Sequence, residues 1–224
     1  MATSKKIRGQ DVIPLFPLGV VLLPEMTLPL HIFEERYKAM ITECLAQESH
    51  FGIVYYDGKE FRMAGCTAKI LDVLKRYEDG RMDIVTEGQK RFFINEIDET
   101  RMYFRAGVHY FDDTYEKPQG EDPALIREAL DLLKRLDRMF GTIRDYDALS
   151  HLDQKRLSFL IPGAEGFTPE ERQQLLEMTS TRQRLLKCKN VLLKVIERTK
   201  ISHEVLQIIS GNGNVKKHMS TPPH

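Results

Sequence analysis

Residues 12–45 of this chain read VIPLFPLGVVLLPEMTLPLHIFEERYKAMITECL, and this stretch decides the fold. Four prolines interrupt its first part. Proline lacks an amide donor and fixes φ, so each of them must lie at a strand end, a bulge or an edge. The aliphatic run 20–23 predicts a strand covered on both faces. From Phe33 the apolar residues recur every three or four positions, through Tyr37 to Leu45, which predicts an amphipathic helix after the strands.

Short β-rich runs separated by turn signals follow this predicted helix. Asp57-Gly58 separates two such runs, and Asp79-Gly80 separates the next two. An Asp-Gly pair between β-rich runs favours a hairpin, because glycine adopts positive φ without steric cost. Two more strand-like segments cover residues 91–94 and 103–111. Six or seven short strands with one inserted helix predict a small antiparallel barrel or sandwich.

The second half of the chain is predicted to be helical. Its helix signals are Asp122-Pro123 with Gly141 as the stop, residues 145–160, and Thr168-Pro169-Glu170-Glu171. The segment from Asp112 to Gly120 is the predicted linker. We therefore predict a strand lobe over residues 11–118, a helical lobe over residues 119–209, and flexible tails at residues 1–10 and 210–224.

The last predicted helix, ending at Ile209, carries a heptad pattern with a break near residues 179–181. One track contains Met178, Leu185, Leu192, Thr199 and Leu206, and its companion contains Cys188, Val195 and Ile209. This is a broken coiled-coil-like seam, which closes either within the chain or between two chains as a homodimer. The same helix is rich in basic residues, namely Arg182, Arg184, Lys187, Lys189, Lys194, Arg198 and Lys200. They indicate either a partner surface or a solvated face, and the solvated face is favoured.

Composition narrows the class of protein. The chain has 33 Lys and Arg against 33 Asp and Glu, so its formal net charge is zero and does not attract nucleic acid or anionic lipid. No window approaches the roughly 18 apolar residues of a membrane span. The three cysteines lie far apart and form no CxxC pair, which predicts a reducing, cytoplasmic location.

Motifs for chemistry are missing from the sequence. It contains no phosphate-binding G-x-x-x-x-G-K-[ST] loop and no G-x-S-x-G elbow. His203-Glu204 begins a zinc-binding H-E-x-x-H, but the fifth residue is Gln207, so the second imidazole is absent. His31, His50 and His109 have no ligand-spaced partner. We therefore predict no catalytic residue, no cofactor and no metal site.

Several strings in the strand-rich half resemble one family. They are PLFPLGVVLLP at residues 14–24, LPLHIFEERY at 28–37, GCTAKI at 65–70 and IVTEGQKRF at 84–92. These strings resemble the N-terminal substrate-binding domain of Lon proteases, especially its stand-alone relatives. The resemblance implies an α+β fold, in which a PUA-like antiparallel β pseudobarrel with an inserted helix precedes an α-helical bundle. In the matched strings we expect Phe33 and Tyr37 to anchor the helix, Glu34 and Arg36 to cap or pair nearby, and Gly88 to free a backbone turn.

The resemblance also implies a function. The ATPase and Ser-Lys peptidase modules of full-length Lon have no counterpart in these 224 residues, so neither activity is carried over. We predict a non-catalytic module that binds unfolded or exposed hydrophobic polypeptide segments, and whether a separate ATPase or protease partners it stays open. Recognition of this kind needs exposed apolar area or a free strand edge, in a groove between barrel and bundle. The candidate residues are Leu22, Leu23, Met26, Met63 and Met82, with burial in the core as the alternative for each.

Two other function classes remain as alternatives. PUA-like barrels often bind RNA, but the neutral net charge and the absence of interleaved aromatic and basic positions on one strand disfavour nucleic acid. A small-molecule hydrolase hidden in the barrel is the third class, and no nucleophile–base pair in the sequence supports it.

Overall fold

The computed structural model describes residues 11–114 and 122–215, and the architecture is α+β, as predicted. The strands are β1 Asp11–Leu18, β2 Thr27–Ile32, β3 Phe51–Tyr56, β4 Phe61–Arg76, β5 Met82–Asp98 and β6 Arg105–Phe111. The helices are α1 Glu35–Ala46, α2 Pro123–Phe140, α3 Tyr146–Ser150, α4 Gln154–Leu160, α5 Pro169–Glu177 and α6 Thr181–Val215. A 3₁₀ turn, Ile161–Gly163, follows α4.

The strands form one closed sheet in the order β2-β5-β4-β3-β1-β6, and β6 also pairs with β5. All pairings are antiparallel except one, because β1 and β3 run parallel with Leu15 opposite Gly52. The sheet is therefore mixed, and the prediction of an antiparallel barrel or sandwich is wrong for this one pair of strands. A parallel pair needs a long crossover, and the chain between β1 and β3, which includes β2 and α1, supplies it.

The run 20–23 is not a strand, contrary to the prediction. It is an irregular segment that buries Leu22 and Leu23 and then turns, with the Met26 amide donating to the Leu23 carbonyl. Its end is attached to β5 by two hydrogen bonds, from the Glu25 amide to the Gly88 carbonyl at 2.7 Å and from the Gly88 amide to the Met26 carbonyl at 3.0 Å. The aliphatic pattern thus reports burial of this segment and not its backbone conformation.

Helix α1 has the predicted buried face, formed by Tyr37, Met40, Ile41 and Cys44. Phe33 does not anchor this helix, because it precedes the first turn and its side chain is 60% exposed. The predicted pairing of Glu34 and Arg36 is confirmed, since Arg36 Nε donates to Glu34 Oε2 at 2.9 Å.

The seam on α6 closes within the chain over its first half. Leu185, Cys188, Leu192 and Val195 are buried in one cluster with residues of α2, whereas Leu206 and Ile209 are exposed. The helix continues through Val215, so residues 210–215 do not belong to the predicted tail. Once a helix is nucleated, each further residue adds a backbone hydrogen bond, which accounts for helix in a segment of low propensity.

The other helices follow their sequence signals with one exception. Helix α2 begins after Asp122, whose side chain accepts from the Leu125 amide, and ends at Gly141 with φ of 71°. The single helix predicted over residues 145–160 is divided into α3 and α4, because Asp153 forms a new N-cap by accepting from the Arg156 amide.

The capping box at the start of α5 gives a first testable prediction. Thr168 Oγ1 accepts from the Glu171 amide at 3.2 Å, and Glu171 Oε2 accepts from the Thr168 amide at 2.9 Å. Thr168→Ala removes the first bond and should lower the free energy of unfolding by about 1 kcal/mol in urea titration. Thr142→Ala is the control, because Thr142 is exposed and its hydroxyl has no partner among the described residues. Equal losses in both variants would contradict the role of the box.

Candidate functional site between the two lobes

A buried ionic junction joins β5 to the helices. Arg91 Nη2 lies 2.6 Å from Asp113 Oδ1, and Arg184 Nη2 lies 2.5 Å from Asp113 Oδ2. The ring of Phe159 stacks beside both guanidinium groups, with its centroid 5.0 Å from Arg91 Cζ and 3.8 Å from Arg184 Cζ. The side chains of Arg91 and Arg184 are 2% and 0% exposed. We call Arg91, Asp113, Phe159 and Arg184 the junction.

The junction also binds the backbone between α5 and α6. Arg91 Nη1 donates to the carbonyls of Leu176 and Met178, and Arg184 Nη1 donates to the same Met178 carbonyl. These bonds supply donors to carbonyl groups at the end of α5, which have no partner within the helix. The Asp113 side chain is only 10% exposed and binds two arginines, so this residue of the predicted linker is not part of a free connection.

The charge of Asp113 is stabilised in this setting. Burial raises the pKa of its carboxyl group, but hydrogen bonds from Arg184 and Thr181 and the charges of Arg184 and Arg91 outweigh burial, so the pKa lies below its usual value. Burial lowers the pKa of Arg91. Asp113 consequently remains ionised at neutral pH and holds the two lobes together.

An open cleft of about 770 Å³ lies beside the junction, lined by residues of both lobes. Its floor is the part of β5 around residues 88–91. The pairing of β5 with β2 ends at Glu87, and its pairing with β6 begins at Arg91, so this part lies between the two. The strand is irregular here, because the Thr67 hydroxyl accepts from the Lys90 amide at 3.0 Å and donates to the Lys90 carbonyl at 3.3 Å. Irregularities of this kind redirect side chains, and they are common beside binding sites.

Two ion pairs cross the cleft from helix α4 to the strand lobe. Arg156 Nε lies 2.6 Å from Glu25 Oε2, and Lys155 Nζ lies 2.7 Å from Asp112 Oδ2. All four side chains are at least a third exposed. Exposed pairs contribute about 0–1 kcal/mol each, so a ligand can displace them at low cost.

The remaining lining combines aromatic and charged groups. Tyr110 is 39% exposed, and the Lys90 ammonium group lies 5.6 Å from the centroid of its ring. Phe111 stacks on Phe93 with centroids 4.4 Å apart. Within the described part of the chain, the lining includes no serine, threonine, cysteine or histidine. The arrangement therefore offers surfaces for packing and ion pairing.

The structure separates the five predicted binding residues. Leu22, Leu23 and Met82 are 2%, 0% and 3% exposed and belong to the strand core, so they face the interior and not a ligand. Met63 is 49% exposed on β4, and Met26 is partly buried beside Gly163. A cleft lies between the lobes, but more than half of its lining residues are charged, whereas the predicted groove was apolar. Pro24 and Glu25 line it in place of the leucines that precede them.

Metal-ligating side chains do not converge in residues 11–114 and 122–215, where no group of three or more His, Cys, Asp or Glu could hold a metal ion. His31 lies 2.5 Å from Asp83 through Nδ1, as an exposed pair that the sequence did not predict. The side chain of His203 lies outside the described residues.

None of the helices in the described ranges is long and apolar enough to cross a membrane.

A strand lobe with one inserted helix, joined by a buried junction to a helical lobe, defines a two-lobed α+β domain with an open cleft between its lobes. The profile of the ATP-dependent protease La (LON) substrate-binding domain matches residues 12–194, and the chain belongs to this family. The resemblance found in the sequence is thereby confirmed.

Curated relatives and solved structures agree with this assignment. Lon protease 1 of Herpetosiphon aurantiacus is 25% identical over 87% of this chain, and Lon protease of Parabacteroides distasonis is 29% identical over 78%. These matches cover 26% and 23% of the two proteins, so the chain spans about a quarter of their length.

Two solved structures show the same fold. The N-terminal domain of Mycobacterium avium complex Lon protease has a TM-score of 0.64 and 23% identity, covering 84% of this chain and 98% of that domain. The Lon N-terminal domain protein from Xanthomonas campestris has a TM-score of 0.60 and 22% identity, covering 79% of this chain and 96% of the other.

Proposed function

We propose that this chain is a non-catalytic module that binds unfolded or exposed hydrophobic polypeptide segments, with the cleft between its lobes as a contact surface. The observation that carries the proposal is the open cleft of about 770 Å³, which combines aromatic rings with charges of both signs. Membership of the LON substrate-binding domain family supports the same function. The cleft replaces the buried leucines as the site of contact.

The lining suits a polypeptide of variable sequence. The exposed face of Tyr110 offers apolar contact, and the Glu25–Arg156 and Asp112–Lys155 pairs can exchange partners with charged side chains of a ligand. Both walls are held in place by the buried junction, so the cleft is preformed and binding requires little ordering of the protein.

The proposal predicts a saturable interaction that depends on Tyr110. We expect calorimetry to detect binding of reduced, carboxymethylated lactalbumin, and Tyr110→Ala to weaken it about three- to tenfold by loss of the aromatic contact. Tyr56→Ala is the control, since Tyr56 is 37% exposed against 39% for Tyr110 and lies outside the cleft. Absence of saturable binding to the unaltered protein at high micromolar concentration would refute the function.

Nucleic acid is not favoured as the ligand. Glu25, Glu87, Asp112 and Asp153 line the cleft together with its basic groups, and they would repel phosphates. Co-purifying nucleic acid, detected by the ratio of absorbance at 260 and 280 nm, would count for the alternative.

The proposal has several further parts. The strand lobe is a PUA-like pseudobarrel with its boundary near residue 118, and the helical lobe over residues 119–209 is a bundle. A cytoplasmic location, a separate ATPase or protease as partner, and a homodimer through the distal part of α6 complete it. The exposure of Leu206 and Ile209 supports the homodimer, which sedimentation of a Leu206→Ser variant would test.

A further inference from the structure

Strand β4 extends beyond its neighbour on one side. Strand β3 pairs with β4 only as far as Ala68, which lies opposite Phe51, whereas β5 pairs with β4 as far as Arg76. On the side away from β5, residues 69–76 therefore have no strand neighbour within the described part of the chain. We call residues 69–76 the open edge. An open edge presents unpaired amides and carbonyls, which a further strand can pair with.

The open edge also exposes apolar side chains. Leu71 and Leu74 are 48% and 62% exposed, whereas Ile70 and Val73 pack against the strand core. The outward leucines are three residues apart and not two, because the register with β5 shifts between Ile70 and Asp72 and again between Val73 and Lys75. The edge therefore combines backbone that lacks a strand neighbour with a small apolar surface.

The charges of the edge select its occupant. Lys69, Lys75 and Arg76 are exposed and form no ion pair among the described residues. The carboxylate of Asp72 accepts a hydrogen bond from the Val73 amide at 2.7 Å. A second copy of this edge would bring like charges together, so the edge disfavours self-association and favours an acidic strand.

We propose that the open edge binds an extended polypeptide segment by strand addition, and that the preferred segment has alternating apolar residues and acidic flanks. This inference rests on the proposed function and specifies a binding mode for it. Backbone hydrogen bonds to residues 69–76 supply affinity that does not depend on the ligand's sequence, and Leu71 and Leu74 supply apolar contacts. The register shifts keep the edge twisted, which limits aggregation of the free protein.

A labelled peptide of about eight residues, with alternating valines and glutamates at both ends, tests the inference by fluorescence anisotropy. We expect the unaltered protein to bind it, and the double variant Leu71→Ser/Leu74→Ser to bind it at least tenfold more weakly. Leu193→Ser is the matched control, because Leu193 is 44% exposed on α6. Circular dichroism of each variant confirms that it is folded.

Three modified peptides test the backbone and charge contacts of the edge. One peptide is N-methylated at every odd-numbered amide and a second at every even-numbered amide. Each change removes backbone donors on one edge of the peptide strand and keeps the side chains. We expect one of the two methylation patterns to abolish binding, and a peptide with lysines in place of the glutamates to bind at least tenfold more weakly.

The outcomes distinguish this inference from the proposed function. The edge is refuted, and the cleft proposal stands, if the unaltered protein binds both N-methylated peptides normally, the leucine double variant binds the unmodified peptide normally, and unfolded lactalbumin still binds. If the unaltered protein binds neither peptide nor lactalbumin, both proposals fail. A dimer of the unaltered protein that Leu71→Ser/Leu74→Ser dissociates would also overturn the inference, because a second copy would then occupy the edge.

Discussion

Arg184→Met is expected to lower the free energy of unfolding by about 3–5 kcal/mol, because it leaves the buried charge of Asp113 with one guanidinium partner where it had two. Arg184 is fully buried and also donates to Ser158 Oγ at 2.7 Å and to the Met178 carbonyl at 2.8 Å. Methionine fills much of the volume but satisfies none of these acceptors. The cost therefore comes from the hydrogen bonds lost and the ion pair weakened at the junction and not from a cavity.

Urea titration followed by circular dichroism measures this loss. Arg182→Met is the control on the same turn of α6, since the Arg182 side chain is 44% exposed and its pair with Asp122 spans 3.5 Å. Exposed pairs contribute about 0–1 kcal/mol, so this variant should remain close to the unaltered protein. Similar values for the two variants would show that the junction does not stabilise the fold.

Acid should act on the same group. Burial raises the pKa of Asp113, but its arginine partners lower it by more than burial raises it. The folded protein therefore releases this proton at a lower pH than the unfolded chain does. The stability from Asp113 is complete above the unfolded pKa of about 3.9 and is lost as pH falls through the folded pKa. Arg184→Met raises the folded pKa towards the unfolded value, so the pH dependence of its stability below about pH 4 should be weaker than in the unaltered protein.

Local patterns in the sequence predicted the elements that depend on local physics. The capping box at Thr168 depends on residues three positions apart, and the buried face of α1 depends on helical period, so both were visible before the structure. The same holds for the hairpin at Asp79-Gly80, where Gly80 has φ of 82°.

The junction and the cleft could not be predicted in this way. Arg184 lies 71 positions from Asp113, and Arg91 lies 22 positions from it. In the sequence, Arg184 is one of several basic residues on a helix with a predicted solvated face, and Asp113 is part of an acidic segment. Only the tertiary fold brings Arg91 of β5, Asp113 after β6 and Arg184 of α6 together, and charge patterns along a chain do not encode that arrangement.

Gly88 shows a related limit, because its role depends on a segment distant in sequence. The sequence predicted that it frees a turn, yet it lies inside β5 and is not among the glycines with positive φ. A Cβ atom at this position would lie 2.1 Å from the Leu23 carbonyl oxygen and 3.1 Å from Leu22 Cγ. Glycine is needed because the backbone of residues 23–26 crosses β5 at contact distance.

Gly88→Ala should therefore force the segment from Leu23 to Met26 away from β5 and break the two backbone hydrogen bonds between them. We expect a loss of about 3 kcal/mol in the free energy of unfolding, measured by urea titration, because backbone and not a flexible side chain obstructs the methyl group. Gly19→Ala is the control, since nothing lies within 4 Å of its added Cβ, and it should stay within about 1 kcal/mol of the unaltered protein. Because Gly88 also forms the floor of the cleft, Gly88→Ala should weaken the binding of unfolded lactalbumin. If the variant keeps both normal stability and normal binding, the crossing of β5 by residues 23–26 does not shape the site.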